Sequence, residues 1–431
     1  MTTSATLSKD LAVRASFDFL GEVLAGYGPR DFAIRAWDGT VCEPDAGQPA
    51  RFTLVLRHPG AVRKMFWPPR AYTLGEAYIY DDIDIEGDIH AFFSVASYLY
   101  TLRSGLGLGQ KLRWLKRLFL LPGGARPRTG RLAARLSGAV HSLERDRQAV
   151  SYHYDVSNDF YQLWLDRRMI YTCAYFADPS DDIDRAQERK LDYICRKLRL
   201  LPGDRLLDIG CGWGGLPMYA AQQYGVHALG ITVSRAQVEL AQERIRQAGL
   251  QDRCRVEYQD YREVSGTFDK LVSVGMFEQI GGAMLPLYFQ KAYSLLRPGG
   301  VFLNHGISLS GWERKPRNQA FSQRYVFPDG ELKPIHTTLQ AAEQAGLEVR
   351  DVESLREHYV LTLTNWLRRL EARAEEARKL TNEATYRIWR LFMAGAVDGF
   401  RAARVNLYQT LLVKPDRGVS GLPLTRTDWY A

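Results

Sequence analysis

Hydrophobic and polar positions change rhythm along this chain of 431 residues. Over Ala12–Ala25 apolar residues recur at helical spacing, which predicts an amphipathic helix. Over Arg51–His58 (RFTLVLRH) they alternate, which predicts a strand that ends at the Pro59-Gly60 turn. After about Ser137 the pattern repeats. RLLDIGCGWGG, HALGITVS, RVEYQD, FDKLVSVGMFEQIG and VFLNHGISL are short β-rich apolar runs separated by longer helical periods. That alternation predicts an α/β domain with a parallel sheet between two helical layers. HYVLTLTNW, which contains Tyr359, also reads as a strand. The organisation expected is a small mixed α/β domain over 1–100, a connecting segment over 101–136 and a larger domain over 137–431, without internal repeats.

In the connecting segment, KLRWLKRLFLL (Lys111–Leu121) places Leu112, Trp114, Leu115, Leu118 and Phe119 on one helical arc. Arg113, Lys116 and Arg117 fall opposite, Lys111 breaks the pattern, and Pro122-Gly123-Gly124 ends the helix. One reading is an interfacial helix with its apolar side in acyl chains and its cations at anionic headgroups. The other is an ordinary surface helix packed on its own domain. A nucleic-acid strip ranks below both, because the apolar arc is too large for one that tracks phosphates.

Charge bears on that choice. The formal net charge is +8. Nine basic residues and no acid lie between Thr101 and Arg135 (Arg103, Lys111, Arg113, Lys116, Arg117, Arg126, Arg128, Arg131, Arg135), so this stretch alone accounts for the surplus. Six acids fall between Glu76 and Asp88, an acidic loop leading into a helix. No apolar run approaches the ~18–20 residues of a membrane span. The opening MTTSATLSKD lacks a signal-peptide pattern, so export is not expected. Five scattered cysteines without CxxC spacing point to free thiols in a reducing cytosol and away from a zinc site. At 12% aromatic residues the chain is no disordered polymer.

LLDIGCGWGG (Leu206–Gly215) follows an apolar run and contains Asp208, Gly210, Gly212 and Gly214 at alternate positions. Glycines at that spacing let backbone turn sharply against a ligand at a helix N-terminus. A dinucleotide loop instead shows G-x-G-x-x-G and an acid about 20 residues later. Here the acid precedes the glycines, and the next run ends in Gly230-Ile231-Thr232. The pattern resembles the loop of S-adenosylmethionine (SAM)-dependent methyltransferases, although a dinucleotide site and a purely structural turn stay open on the loop alone. Val274-Gly275-Met276-Phe277-Glu278 stands where a base-nitrogen methyltransferase carries Asn/Asp-Pro-Pro-Tyr/Phe, and no Pro-Cys pair marks pyrimidine C5 chemistry.

HYDVSNDFYQLWLD (His153–Asp166), MIYTCAYF (Met169–Phe176), FDKLVSVGMFEQIG (Phe268–Gly281) and RYVFPDGELKPI (Arg324–Ile335), with the glycine loop among them, resemble the cyclopropane-fatty-acyl-phospholipid synthase family. The resemblance runs from about Thr73 to Val413. It implies a Rossmann-like SAM-dependent methyltransferase domain acting on unsaturated phospholipid acyl chains, cytoplasmic and peripheral to the inner face of the membrane, with a homodimer as the assembly often met. It implies that Tyr171, Thr172, Asp208, Gly210, Cys211, Gly212, Gly214, Thr232, Gln237, Asp260 and Tyr261 hold SAM. It also implies that Cys173, Glu278, His305, Ile307 and Tyr359 hold a bicarbonate ion, with Glu278 and His305 just after strands four and five. No metal is implied.

The chemistry explains the ion. A carbon–carbon double bond is a weak nucleophile, so the methyl must come from a sulfonium, and alkylation leaves a carbocation. Ring closure needs a base that does not trap the cation; Tyr171, Tyr175, Phe176 and Phe277 are candidate rings to stabilise it. Each residue also has a plain structural reading: Cys173 and Tyr359 as core, His305 as a structural histidine, Cys211 as a close fit in the loop, and His153, Tyr154 and Asp155 as an ordering element for the entry helix. Gln279 stands where many relatives carry His, and Gly306 where Thr is frequent; the first is expected to change a hydrogen bond around the ion. A branched methyl or methylene product, a small-molecule methyltransferase and a non-catalytic lipid-binding protein remain as alternatives.

Overall fold

The computed structural model describes residues 10–124, 126–154, 156–313 and 319–430; Asp155 lies outside the described residues. The described residues up to Leu132, together with Asn382–Asp398, form one compact unit. Those from Ala133 to residue 313, Ser322–Thr381 and the residues from Gly399 form the other. The first unit thus extends through most of the expected connecting segment and takes up a helical stretch from the region read as the larger domain.

In the first unit, helix Leu11–Val23 starts at an Asp10 cap and buries Val13, Phe17 and Leu20, a helical stripe. A four-stranded sheet has the order β2-β1-β3-β4, with β1 Phe32–Arg35, β2 Val41–Cys42, β3 Phe52–Leu56 and β4 Ile83–Gly87. The acidic run is not an open loop. It runs from helix Thr73–Ile79, which holds Glu76, through a turn at Asp81 and Asp82 into β4 and the Asp88 cap of helix Ile89–Gly105. Its carboxylates are paired: Arg128 with Glu76, Arg126 and Arg57 with Asp81, Arg35 with Glu86, Arg51 with Asp88. Two cations of the basic segment therefore neutralise acids of their own unit.

The helix expected over Lys111–Leu121 is Leu108–Leu120. Its apolar arc divides. Leu118 is buried, and Trp114 packs edge-on against Phe19 while its indole N–H donates to Glu22 at 3.0 Å. Arg117 pairs with the same Glu22. Leu108, Leu112 and Leu120 remain 76%, 59% and 82% exposed, and with Lys116 they follow one another at four-residue spacing. Among the described residues Lys111, Arg113 and Lys116 have no ion-pair partner.

The second unit contains a seven-stranded sheet of order β10-β11-β9-β8-β5-β6-β7. Its strands are β5 Arg205–Ile209, β6 His227–Thr232, β7 Cys254–Tyr258, β8 Phe268–Val274, β9 Leu296–Leu309, β10 Glu348–Ser354 and β11 Val405–Val413. The pairs from β7 through β9 are parallel; β11 runs antiparallel to both β9 and β10. Strand order reverses at β5, and in such sheets the crevice at the carboxyl ends of the strands is the ligand position.

Two local expectations are corrected. Tyr359 lies in helix Arg356–Ala372, not in a strand. HYVLTLTNW is β-branched and alternating, yet Leu363, Trp366, Leu367 and Leu370 share a buried helical face, and Thr362 and Thr364 bond carbonyls one turn back. His305 sits within β9, level with Val274 of β8, instead of beyond the strand end.

Candidate active site

The glycine loop turns at the carboxyl end of β5. Gly210 has φ +84°, and a Cβ there would meet the Met276 side chain at 2.6 Å, so only glycine fits without strain. Gly214, at φ +79°, is the N-cap of helix Gly215–Tyr224 and holds the loop from behind. Cys211 packs into the gap left by Gly230, where an added Cβ would sit 2.7 Å from its sulfur.

A cavity opens in front of this loop, enclosing about 1220 Å³ of non-protein space with its open mouth included. Tyr171, Thr172, Asp208, Gly210, Cys211, Gly212, Thr232, Gln237, Asp260 and Tyr261 all line it; Gly214 does not. The structure thus brings together ten of the residues read as cofactor-binding. Asp208 has a buried Oδ1 without a protein partner among the described residues, and burial pushes its carboxyl to about 7 against the pull of Lys190. Gln237 accepts the Thr232 hydroxyl at 2.6 Å. Asp260 is already engaged: Arg262 donates from Nε at 2.8 Å and from an Nη at 2.7 Å to its two oxygens.

Lys190 is a site residue the sequence reading missed. It lies on helix Ile183–Leu198 and is 1% exposed, and its Nζ donates to the Thr172 hydroxyl at 2.8 Å. Burial lowers its pKa to about 8, partly offset by Asp166, Cys173 and Asp208. On the same helix Gln187 donates to the Thr172 carbonyl at 2.7 Å. Lys190 and Lys197 are in phase with buried Leu191, Ile194 and Leu198; lysines on an apolar stripe were the available signal.

The residues read as ion-binding form a second group, outside the cavity lining. Glu278 follows β8, and its Oε1 accepts the Ile307 amide at 2.6 Å. That amide is therefore not a free donor. Glu278 Oε2 and His305 Nε2 are both buried and have no protein partner among the described residues. Burial raises the Glu278 carboxyl to about 7 and pushes His305 well below its ordinary value, with Lys190 and Lys197 adding to the latter. Cys173 is fully buried and bonds the Ala174 carbonyl at 3.3 Å; burial lifts its thiol to about 12. Tyr359 lies within electrostatic reach of Cys173, Glu278 and Tyr154.

Aromatic rings surround this region. Tyr171 has Trp366 at 5.2 Å, Trp164 at 5.3 Å, Tyr161 at 5.7 Å and His153 at 5.6 Å between ring centroids. His153 binds the Val326 carbonyl at 2.8 Å and stacks on Phe327, which ties the HYD and RYVFPDG stretches together. Phe277 lies beside Gly306, where a Cβ would come within 2.9 Å of its ring, so glycine accompanies this ring position. Tyr175 stacks on His358 and packs at a tilt against Tyr193, and the Phe176 backbone N–H donates to the His358 ring; neither is part of the Tyr171 group. Gln279 lines the cavity.

An open α/β sheet, a glycine loop at its switch point and a cavity on that loop define the class of SAM-dependent methyltransferases. The fold is similar to that of mycolic acid cyclopropane synthase CmaA1, solved with SAH and CTAB (32% identity, TM-score 0.60, covering 62% of this chain and 97% of that one). It is similar in the same measure to the cyclopropane synthase MmaA2 of Mycobacterium tuberculosis (30% identity, TM-score 0.60, 62% and 97%). Residues 141–410 match the family model described as mycolic acid cyclopropane synthetase, and the chain belongs to that family. It is a SAM-dependent methyltransferase of the cyclopropane synthase family.

Residues 19–100 match a second model, described as a domain of unknown function (DUF7884). Among curated relatives, the "Probable fatty acid methyltransferase" of Pseudomonas putida is 41% identical over 92% of this chain and 95% of its own. The cyclopropane-fatty-acyl-phospholipid synthase of Escherichia coli K12 is 37% identical over 64% of this chain and 69% of its own.

Proposed function

We propose that this protein transfers a methylene from SAM to the cis double bond of an unsaturated phospholipid acyl chain, giving a cyclopropane ring. Its resemblance to the Escherichia coli synthase supports that substrate. The observation that carries the reading is the buried pair of unpartnered polar atoms, Glu278 Oε2 and His305 Nε2, in a unit that also holds the glycine-loop cavity and the Tyr171 aromatic group. Buried polar atoms of this kind are costly unless a ligand satisfies them.

Bound SAM supplies a sulfonium methyl, the electrophile that an alkene needs. The ten lining residues would hold it, and the buried Asp208 oxygen is an acceptor suited to its ammonium group. As positive charge develops on the acyl chain, the faces of Tyr171, Trp164 and Trp366 favour it without bonding to it. Cys173, with its thiol lifted to about 12, stays protonated and so presents no thiolate to the cation. Glu278, with a pKa of about 7, can exchange a proton near neutral pH.

A bicarbonate ion would supply the base between them. The residues fit a small hydrogen-bonding anion: a protonated thiol, a phenol, a neutral imidazole and a carboxyl poised near neutrality. Cys173, Glu278, His305 and Tyr359 would hold it, and Ile307 contributes by orienting Glu278 through its amide.

An enzyme whose substrate stays in a bilayer must reach it. The exposed stripe Leu108, Leu112, Lys116 and Leu120, flanked by Lys111 and Arg113, favours an anionic membrane surface as partner. The protein would then act as a peripheral membrane enzyme of the cytoplasmic side.

Incubation with SAM and unsaturated phospholipid vesicles, followed by mass analysis of the fatty esters, tests the proposal. A gain of one CH₂ with ring chemistry supports it, and absence of any lipid product overturns it. A methyl-branched product is the second reading. It is favoured by the more extensive likeness to the Pseudomonas putida protein named as a fatty acid methyltransferase.

A further inference from the structure

Behind His305 the sheet carries a line of polar side chains that the proposed reaction does not use. In the register of the three edge strands, Glu353 of β10 stands opposite Gln409 of β11, and Gln409 stands opposite His305 of β9. Lys197, from helix Ile183–Leu198, closes the line from above and is 1% exposed. Its Nζ pairs with Glu353 and donates to Gln409 Oε1 at 2.8 Å. The Tyr193 hydroxyl also donates to Glu353, at 3.0 Å. Gln409 Nε2 lies 3.3 Å from His305 Nδ1.

The direction of each bond in this line is determined by chemistry. An ammonium has three donors and no acceptor, so Lys197 can meet only the carboxamide oxygen of Gln409. That leaves the carboxamide NH₂, which only donates, facing the imidazole. His305 Nδ1 must then accept, and a neutral imidazole that accepts at Nδ1 carries its proton at Nε2. Nε2 is the ring atom left buried and unpartnered.

We infer that Gln409, oriented by Lys197, holds His305 as the neutral Nε2–H tautomer, so that His305 serves the reaction as a hydrogen-bond donor and not as its base. Gln409 and Lys197 are positioning residues that act through His305. The charged groups around the ring favour the neutral state: Lys190 and Lys197 both face it, and burial acts in the same sense. The base is then left to Glu278 or to the ion it helps hold. This last step rests on the proposed function; the tautomer itself does not.

Nitrogen NMR of the full-length protein labelled with ¹⁵N-histidine reads the tautomer directly, with His305→Gln used to assign the signal among the eight histidines. The expected wild-type spectrum has a protonated Nε2 and an unprotonated, hydrogen-bonded Nδ1, without SAM or lipid present. Gln409→Glu presents a carboxylate to Nδ1 and should move the proton there. Turnover should fall by at least about tenfold while SAM affinity measured by calorimetry stays within about twofold. Lys197→Met, which frees the carboxamide to rotate, should give a mixture of tautomers and a smaller loss.

A wild-type Nδ1–H signal overturns the inference. So does a Gln409→Glu protein whose tautomer switches while turnover is unchanged. Should Gln409→Glu not fold, the wild-type spectrum and Lys197→Met decide. Failure of the lipid assay with the expected tautomer present would count against the proposed substrate and leave this inference standing.

Discussion

The second unit holds two binding regions that are built in opposite ways. The cofactor cavity is shaped by backbone: a glycine turn at the end of β5, a helix N-terminus behind it, and side chains such as Gln237 and Asp260 already satisfied by neighbours. The polar group around Glu278 and His305 is made of side chains from distant elements, and two of its buried atoms lack partners among the described residues. The first region is a backbone-shaped cradle with, among the described residues, a single unmet acceptor, Asp208 Oδ1, and the second is an unmet hydrogen-bonding demand shared by two side chains. Altering the first should therefore affect binding, and altering the second should affect chemistry.

The largest expected effect breaks the second region alone. Glu278→Gln should lower turnover by ~10²–10⁴-fold, the usual range for a lost proton-transfer group. SAM affinity by calorimetry should stay within a few-fold, because Glu278 is not in the cavity lining. Equal losses in both would merge the two regions into one.

Gly210→Ala breaks the first region. The added Cβ meets Met276 at a backbone angle that L-residues avoid, a strain of roughly 1–3 kcal/mol. SAM affinity should drop by about ten-fold or more in the same calorimetric titration. An unchanged affinity would show that the loop is not the cofactor cradle.

A comparable but smaller effect is expected in the first unit. Leu112→Ser combined with Leu120→Ser should weaken cosedimentation with anionic vesicles by about ten-fold. Activity on detergent-dispersed substrate should be retained. Binding of the wild type that ignored salt and anionic lipid content would contradict the electrostatic part of this role.

The smallest effect is a pH dependence of stability that both regions share. Asp208 and Glu278 are each raised by burial to about 7, so the folded protein favours their protonated forms. The folded state then binds more protons than the unfolded one between the ordinary carboxylate range and about pH 7. Stability from these groups is present at low pH and declines as pH rises through that window. In thermal melts of the ligand-free protein, Glu278→Gln should raise Tm at pH 8 by on the order of a few degrees and alter it little at pH 4. A variant that melts below wild type at pH 8 would reverse the assigned direction.

What could be read from the sequence follows the same division. Glycine spacing and alternating β runs are local signals, and the parallel strands and the loop were legible from them, while the family resemblance supplied ten of the residues that line the cavity. Tyr359 reads as part of a strand because β-branched residues alternate with leucines in HYVLTLTNW, whereas burial of Leu363, Trp366 and Leu370 decides for a helix. Lys190, Lys197 and Gln409 were missed because each matters through a partner far away in the chain: Thr172, Glu353 and His305. The apolar arc of the basic helix was correctly seen as amphipathic, but which leucines face outward depended on Glu22 and Phe19 fastening Trp114.

One labelling experiment tests the central claim most directly. Vesicles of unsaturated phospholipid are incubated with SAM that carries a CD₃ group, and the fatty esters are analysed by mass and ring chemistry. Ring closure after methyl transfer removes one deuteron, so the expected products are cyclopropane esters that retain CD₂, formed by Glu278→Gln at a rate lowered ~10²–10⁴-fold. Esters that keep an intact CD₃ branch, or a lipid pool left unlabelled, would contradict the claim.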